Sequence, residues 1–219
     1  MNNKIAEAME KAYIYKIFSL FFYPAKLEKG IEKIRENVEK TFNGSSERIK
    51  LALEVVEKLC NEQSIKELNE ILGEMRRHEP LERKLVPGPS MGATLADLAG
   101  FYMAFNLKTN SEIPMDHLSV ELEFMANLAL REAYALVNGN KEMLEIVTKA
   151  ERSFLRDHLS RTAAYVVVLK KTKDERILDA AGLFEDFMNE ELERIGAPKL
   201  PSSVEIHEGE KDVVKCPFA

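Results

Sequence analysis

Apolar positions recur along this chain at spacings of three and four over long stretches that proline seldom interrupts. No proline lies between Ala25 and Glu79 or between Met115 and Ala197, and proline is excluded from helix interiors, so both blocks are expected to be helical. In the first, "LEKGIEKIRENVEKTF" puts Ile31, Ile34, Val38 and Phe42 on one face, and "SSERIKLALEVVEKLC" repeats this with Ile49, Leu53, Val56 and Cys60. "SIKELNEILGEMRR" opens on Ser64 with Glu67 three positions on, a capping-box pattern, and continues through Ile65, Leu68, Ile71, Leu72 and Met75.

The punctuation between these helices is equally plain. "HEPLERKLVPGPSMGA", residues 78–93, holds Pro80, Pro87, Gly88, Pro89 and Gly92, a density that predicts a long connector without regular structure. "TLADLAGFYMAFNL" resumes a helix with Thr94 as expected N-cap. It is apolar almost all round, which suits a buried helix or one with a second, partner-facing side. After the connector "KTNSEIP", "DHLSVELEFMANLALREAYALVNGN" predicts a long helix stopped at Asn138-Gly139, where glycine takes the left-handed C-cap conformation.

The C-terminal third predicts further helices in "KEMLEIVTKAERSFLRDHL", "SRTAAYVVVLKK" and "DERILDAAGLFEDFMNEELERIGAP", the last ended by Gly196 and Pro198. "YVVVL" has strand composition, yet a lone strand leaves its backbone groups unpaired, so a buried helix is expected. The fold class is all-α, about eight or nine helices in one globule over residues 1–198. Its helical halves, about 1–106 and 116–198, are joined by a hinge near 107–115, and residues 199–219 form an extended polar tail.

Composition narrows the class. Of 219 residues, 45% are hydrophobic and 31% charged, enough apolar surface for an ordered core. The net charge of −6, with basic residues interleaved among acids, argues against a nucleic-acid binder. Cys60 and Cys216 lie far apart and in no CxxC pair, so neither a disulfide framework nor a zinc site is expected. The N-terminal apolar run is interrupted by Lys16 and preceded by Glu7 and Glu10 rather than a basic region. A secretory signal is therefore not expected, nor direct membrane insertion, and a cytoplasmic location is.

The chemistry concentrates in "SEIPMDHLSVELEFM", residues 111–125. Asp116 and His117 could form an acid/base pair, but no nucleophile is evident, and the simpler reading makes Asp116 the helix N-cap after Pro114. His117 and Glu121 share a helical face at i,i+4, as in many metal sites. Di-iron bundles, however, need Glu-x-x-His pairs on two helices, and no histidine here has an acid three positions before it, so no metal is expected. "PGPSMGATLADLAG" precedes a helix N-terminus but lacks Gly-Lys-Ser/Thr and a preceding strand, so no phosphate-binding fingerprint is present. Tyr13, Ile17, Phe18, Phe21 and Phe22, and Phe101, Tyr102 and Phe105, read first as core. Both stripes are apolar on more than one face, which also allows a groove for an apolar, basic peptide.

Three pieces in order resemble one family. "EIPMDHLSVELEFM" is similar to the Glu-x-Pro-x-Asp-His motif of the TorD/DmsD/NarJ redox-enzyme maturation chaperones. "LADLAGFYMAF" resembles their upstream aromatic segment, with Phe101 and Phe105 where tryptophan is frequent, and "FLRDHL" their Phe-x-x-x-His-Leu piece.

The resemblance implies a cytoplasmic, all-α, non-enzymatic chaperone without a cofactor of its own. It would bind the twin-arginine signal peptide of a molybdopterin oxidoreductase catalytic subunit and hold the precursor until its cofactor is inserted. Asp116 and His117 at the hinge, Pro114 as the turn fixing them, and Phe101, Tyr102 and Phe105 as groove wall carry over. Glu121 and Glu123 are added here as acidic partners, because paired arginines are recognised best by carboxylates. Family members are monomers or domain-swapped dimers, and some bind guanine nucleotides; no residue pattern here selects among these. The competing readings are a small hydrolase or metal-dependent enzyme using Asp116, His117 and Glu121, and a general helical interaction scaffold.

Overall fold

The computed structural model describes residues 3–42, 46–73, 80–86, 90–108 and 113–206. The fold is all-α. Eight helical runs follow the periodicity of the sequence: α1 (Asn3–Phe21), α2 (Leu27–Phe42), α3 (Glu47–Glu57), α4 (Glu62–Gly73), α5 (Met91–Ala104), α6 (Leu118–Asn138), α7 (Lys141–Phe154) and α8 (Glu175–Ile195). The α7 run continues through a π turn (Leu155–Leu159), Ser160–Thr162, a 3-10 turn (Ala163–Tyr165) and Val166–Leu169. "YVVVL" is thus helical, and Tyr165, Val166, Val168 and Leu169 are buried.

The first aromatic stripe is core. α1 lies lengthwise against α6, with α2 and α3 on its other sides, which is why it is apolar on several faces. Phe18 and Phe22 meet Phe184 of α8 edge-on at 5.0 and 4.9 Å, and Tyr15 meets Phe187 at 4.9 Å. The Tyr15 hydroxyl donates to Glu191 at 3.1 Å. One contiguous cluster runs from Ile14 of α1 to Leu192 of α8 and draws on both ends of the chain.

Helix ends follow capping chemistry, though not always at the expected residue. Asn61, rather than Ser64, caps α4: its side-chain oxygen accepts from the Ser64 amide at 3.0 Å. Ser90, rather than Thr94, caps α5, while Thr94 is buried one turn inside. The stops at Gly139 and Gly196 are as expected, with positive φ of 63° and 74°. A third left-handed stop appears at Asn106 (φ 53°), where the Leu107 amide reaches back to the Tyr102 carbonyl at 2.9 Å and ends α5.

Within the 78–93 connector, residues 80–86 are more ordered than its proline content implies, and 78–79 and 87–89 lie outside the described residues. Glu82–Lys84 form a 3-10 turn, and Leu85–Val86 pair antiparallel with Glu205–Ile206. Leu81 and Glu82 are buried, with His158 and Arg161 on the Glu82 carboxylate and the Tyr165 hydroxyl on the Leu81 carbonyl. Residues 109–112 of the expected hinge and 207–219 of the tail lie outside the described residues; Leu200 and Val204 pack against the core. No described helix is long and apolar enough to cross a membrane.

Candidate functional site

The site is built where the connector meets the start of α6. The Glu82 amide donates to the Asp116 carbonyl at 2.9 Å, the Leu118 amide to the Pro80 carbonyl at 2.8 Å, and Leu81 bridges His117 antiparallel. Pro114 sets the turn, its carbonyl accepting from the His117 amide at 3.1 Å.

His117, not Asp116, caps α6. Its Nδ1 accepts from the Ser119 amide at 3.1 Å and lies 2.8 Å from the Ser119 hydroxyl. Asp116 is fully buried and turns the other way: its carboxylate accepts from the Arg83 amide at 3.2 Å and from the Arg83 guanidinium at 2.9 Å. The two neighbours therefore do not face each other. Burial, with Lys84 nearby, lowers the His117 pKa to about 4, whereas burial raises that of Asp116 although Arg83 opposes it.

Glu82 occupies the centre. It accepts from His158 Nδ1 at 2.9 Å and from the Arg161 guanidinium at 2.8 Å. His158 and Arg161 both point at Glu82 from the π turn and the residues after it, local geometry that often marks functional sites. The second ring nitrogen of His158 faces Asp97 of α5 at 3.2 Å, so both nitrogens meet carboxylates, which suits a doubly protonated ring. Burial pulls the His158 pKa down, but Glu82 and Asp97 outweigh it and the net shift is upward.

Glu121 lies beside this network, fully buried, and neither carboxyl oxygen has a hydrogen-bond partner. Burial, then Glu82 and Asp116, hold it well above the ordinary carboxylate range despite Thr162 and Arg161. The protonated form is thereby favoured in the folded protein. Asp116, His117 and Glu121 thus take three separate environments rather than one catalytic arrangement. Among the described residues, no three His, Cys, Asp or Glu side chains converge on a metal position.

The aromatic segment packs over the network. Phe101 meets Phe154 at 5.2 Å and His158 at 5.6 Å, and Tyr102 meets Phe124 at 5.0 Å while its hydroxyl donates to the Met115 carbonyl at 2.9 Å. Phe105, half-buried, meets Phe124 at 5.8 Å and is faced by Arg131. The three motif segments, spread from Leu95 to Leu159 in sequence, therefore touch. α5 buries Thr94, Leu98 and Tyr102, and its other side carries Asp97 (side chain 64% exposed) and Met103 (78%) to the surface.

Glu123 stands elsewhere, 63% exposed and ion-paired with Lys16, in a cleft of about 1040 Å³ bounded by α1, α2, the end of α5 and α6.

Residues 80–164 match the family model described as nitrate reductase delta subunit. Over that stretch the chain is similar to a family of redox-enzyme maturation chaperones. The delta-subunit match begins at Pro80, ahead of Glu82, and ends just past Thr162, so it encloses the whole network. Delta-subunit chaperones serve molybdoenzyme maturation with nitrate reductase-type subunits. No match was found among curated proteins or solved structures.

Sequence reading missed Glu82, Arg83, Asp97 and Arg161. For Glu82 and Arg83 the signal was "LERKL", opposite charges side by side between two leucines; Asp97 and Arg161 carry no local signal of their own.

Proposed function

We propose that this protein is a cytoplasmic, non-enzymatic assembly chaperone that binds the twin-arginine signal peptide of a molybdopterin oxidoreductase precursor and holds it until cofactor insertion. The observation that carries the reading is the convergence of the three family-like segments beneath the exposed face of α5. That face offers what such a leader needs. Asp97 supplies a carboxylate at the surface, backed by His158. Met103, with the edges of Phe101 and Phe105, supplies adaptable apolar surface for the segment after the arginines.

In this reading Tyr102, Pro114, Asp116, His117 and Glu121 act from below. They lock α5 and the start of α6 in place, and Arg83 already occupies the Asp116 carboxylate that the sequence offered to the peptide. Glu123 lies apart from this face, in the cleft between α1, α2 and α6 and already paired with Lys16, and takes no part in leader recognition here.

Calorimetric titration with a twin-arginine leader peptide and its Lys-Lys variant tests the reading. Micromolar binding is expected, weakened about tenfold or more by the Lys-Lys change and reduced by Asp97→Asn at unchanged melting temperature. No heat with any molybdoenzyme leader of the same genome, at tens of micromolar protein, would overturn it.

A further inference from the structure

The cleft between α1, α2 and α6 is distinct from the α5 face. Its floor is apolar, with Leu20, Ile34, Tyr102, Val120, Phe124 and Leu130. Leu130 is 45% exposed, and the exposed Tyr134 and Val137 continue its line along α6, so apolar surface runs out of the mouth. The rim has the opposite character. Lys26, Lys29 and Lys33 stand on one side and Lys16 and Lys108 complete it. The single carboxylate in the lining, Glu123, is taken by Lys16, and among the described residues no carboxylate pairs with Lys29, Lys33 or Lys108. In a chain of net charge −6, this local excess of ammonium groups around an apolar groove selects an anionic counterpart.

The shape selects further. Among the described residues the walls are helical apart from Leu107 and Lys108, with no strand edge to pair with, so an extended peptide would bury unsatisfied backbone groups, whereas a helix satisfies its own. A volume of about 1040 Å³ holds roughly two turns of a helix about 10 Å across. The groove is concave, and a flat lipid surface would reach its rim but not its floor.

From these features we infer that the cleft is a docking site for an amphipathic helix with acidic flanks, presented by a protein partner. The inference stands independently of leader binding, since a twin-arginine segment would meet charge of its own sign on this rim.

Fluorescence anisotropy with a dye-labelled model helix of about four turns, leucine along one face and glutamate beside it, tests this. Saturable binding is expected, weakened about tenfold or more when lysine replaces glutamate. A similar loss is expected in the triple variant Lys26→Glu, Lys29→Glu, Lys33→Glu, whose exposed positions leave the circular dichroism spectrum and melting temperature unchanged, and in Leu130→Asp. Equal affinity for acidic and basic helices, or an unaffected triple variant, would overturn the proposal. So would tighter capture by phosphatidylglycerol vesicles, which would assign the rim to a membrane surface, or a dimer that the triple variant abolishes, which would assign the groove to a second copy. Leader affinity measured on the same triple variant should be unchanged; its loss would place the leader in this cleft and remove the acidic helix.

Discussion

His117 sits almost out of water with Nδ1 committed to the Ser119 amide, so protonating it breaks the cap of α6 and charges a buried ring. Its folded pKa, about 4, lies below the ordinary value of 6.5. Its stabilising contribution is therefore complete above 6.5 and is lost as pH falls through the folded value, a loss on the order of 3 kcal/mol. His117→Asn, which keeps a good cap without a titrating ring, should flatten the fall in melting temperature over that window. Glu121 has the opposite sign. Its pKa is raised, so its neutral form stabilises the fold at low pH and the stability is lost as pH rises from 4.5 toward the folded value. Glu121→Gln should gain melting temperature over the wild type, and the gain should grow as pH rises above the ordinary carboxylate value; a constant difference would refute a raised Glu121 pKa. Asp116→Asn removes the counter-charge of Arg83 and should cost about 2 kcal/mol in denaturant unfolding. Were Asp116 an N-cap, the same change would cost little, since Asn caps nearly as well.

At the scale of elements, the helices were legible because spacings of three and four are a direct imprint of 3.6 residues per turn on a one-sided core. The left-handed stops at Gly139 and Gly196 were legible for an equally local reason. Gly139→Ala forces a Cβ into that conformation, which should lower stability by about 1 kcal/mol in thermal melts. Caps were misplaced wherever two capping residues lay within one turn, as with Asn61 and Ser64, Ser90 and Thr94, and Asp116 and His117. Local sequence ranks Asn, Ser and Thr nearly alike and Asp above His, and the packing of the incoming chain decides between them. The connector failed differently. Glu82 finds His158 and Arg161 more than seventy residues away, and no local pattern records that pairing.

For the whole molecule, the family-like segments could be recognised in order, while the reason for the order appears only when the π turn carries His158 against Glu82 and under Phe101. Of the acidic residues expected at the peptide site, Glu123 stands exposed in the cleft. Asp116 and Glu121 go inside as structural groups, and Asp97, unremarked in the sequence, comes to the surface. The lysine-rimmed cleft was invisible because its residues are spread over α1, α2 and α6 within an acidic chain. The central claim is that the protein recognises its client through the leader. Retention on immobilised protein of a molybdoenzyme precursor, compared with the same subunit lacking its twin-arginine leader, tests it most directly. The precursor should be held and the leaderless subunit should pass through; equal retention of both would contradict recognition through the leader.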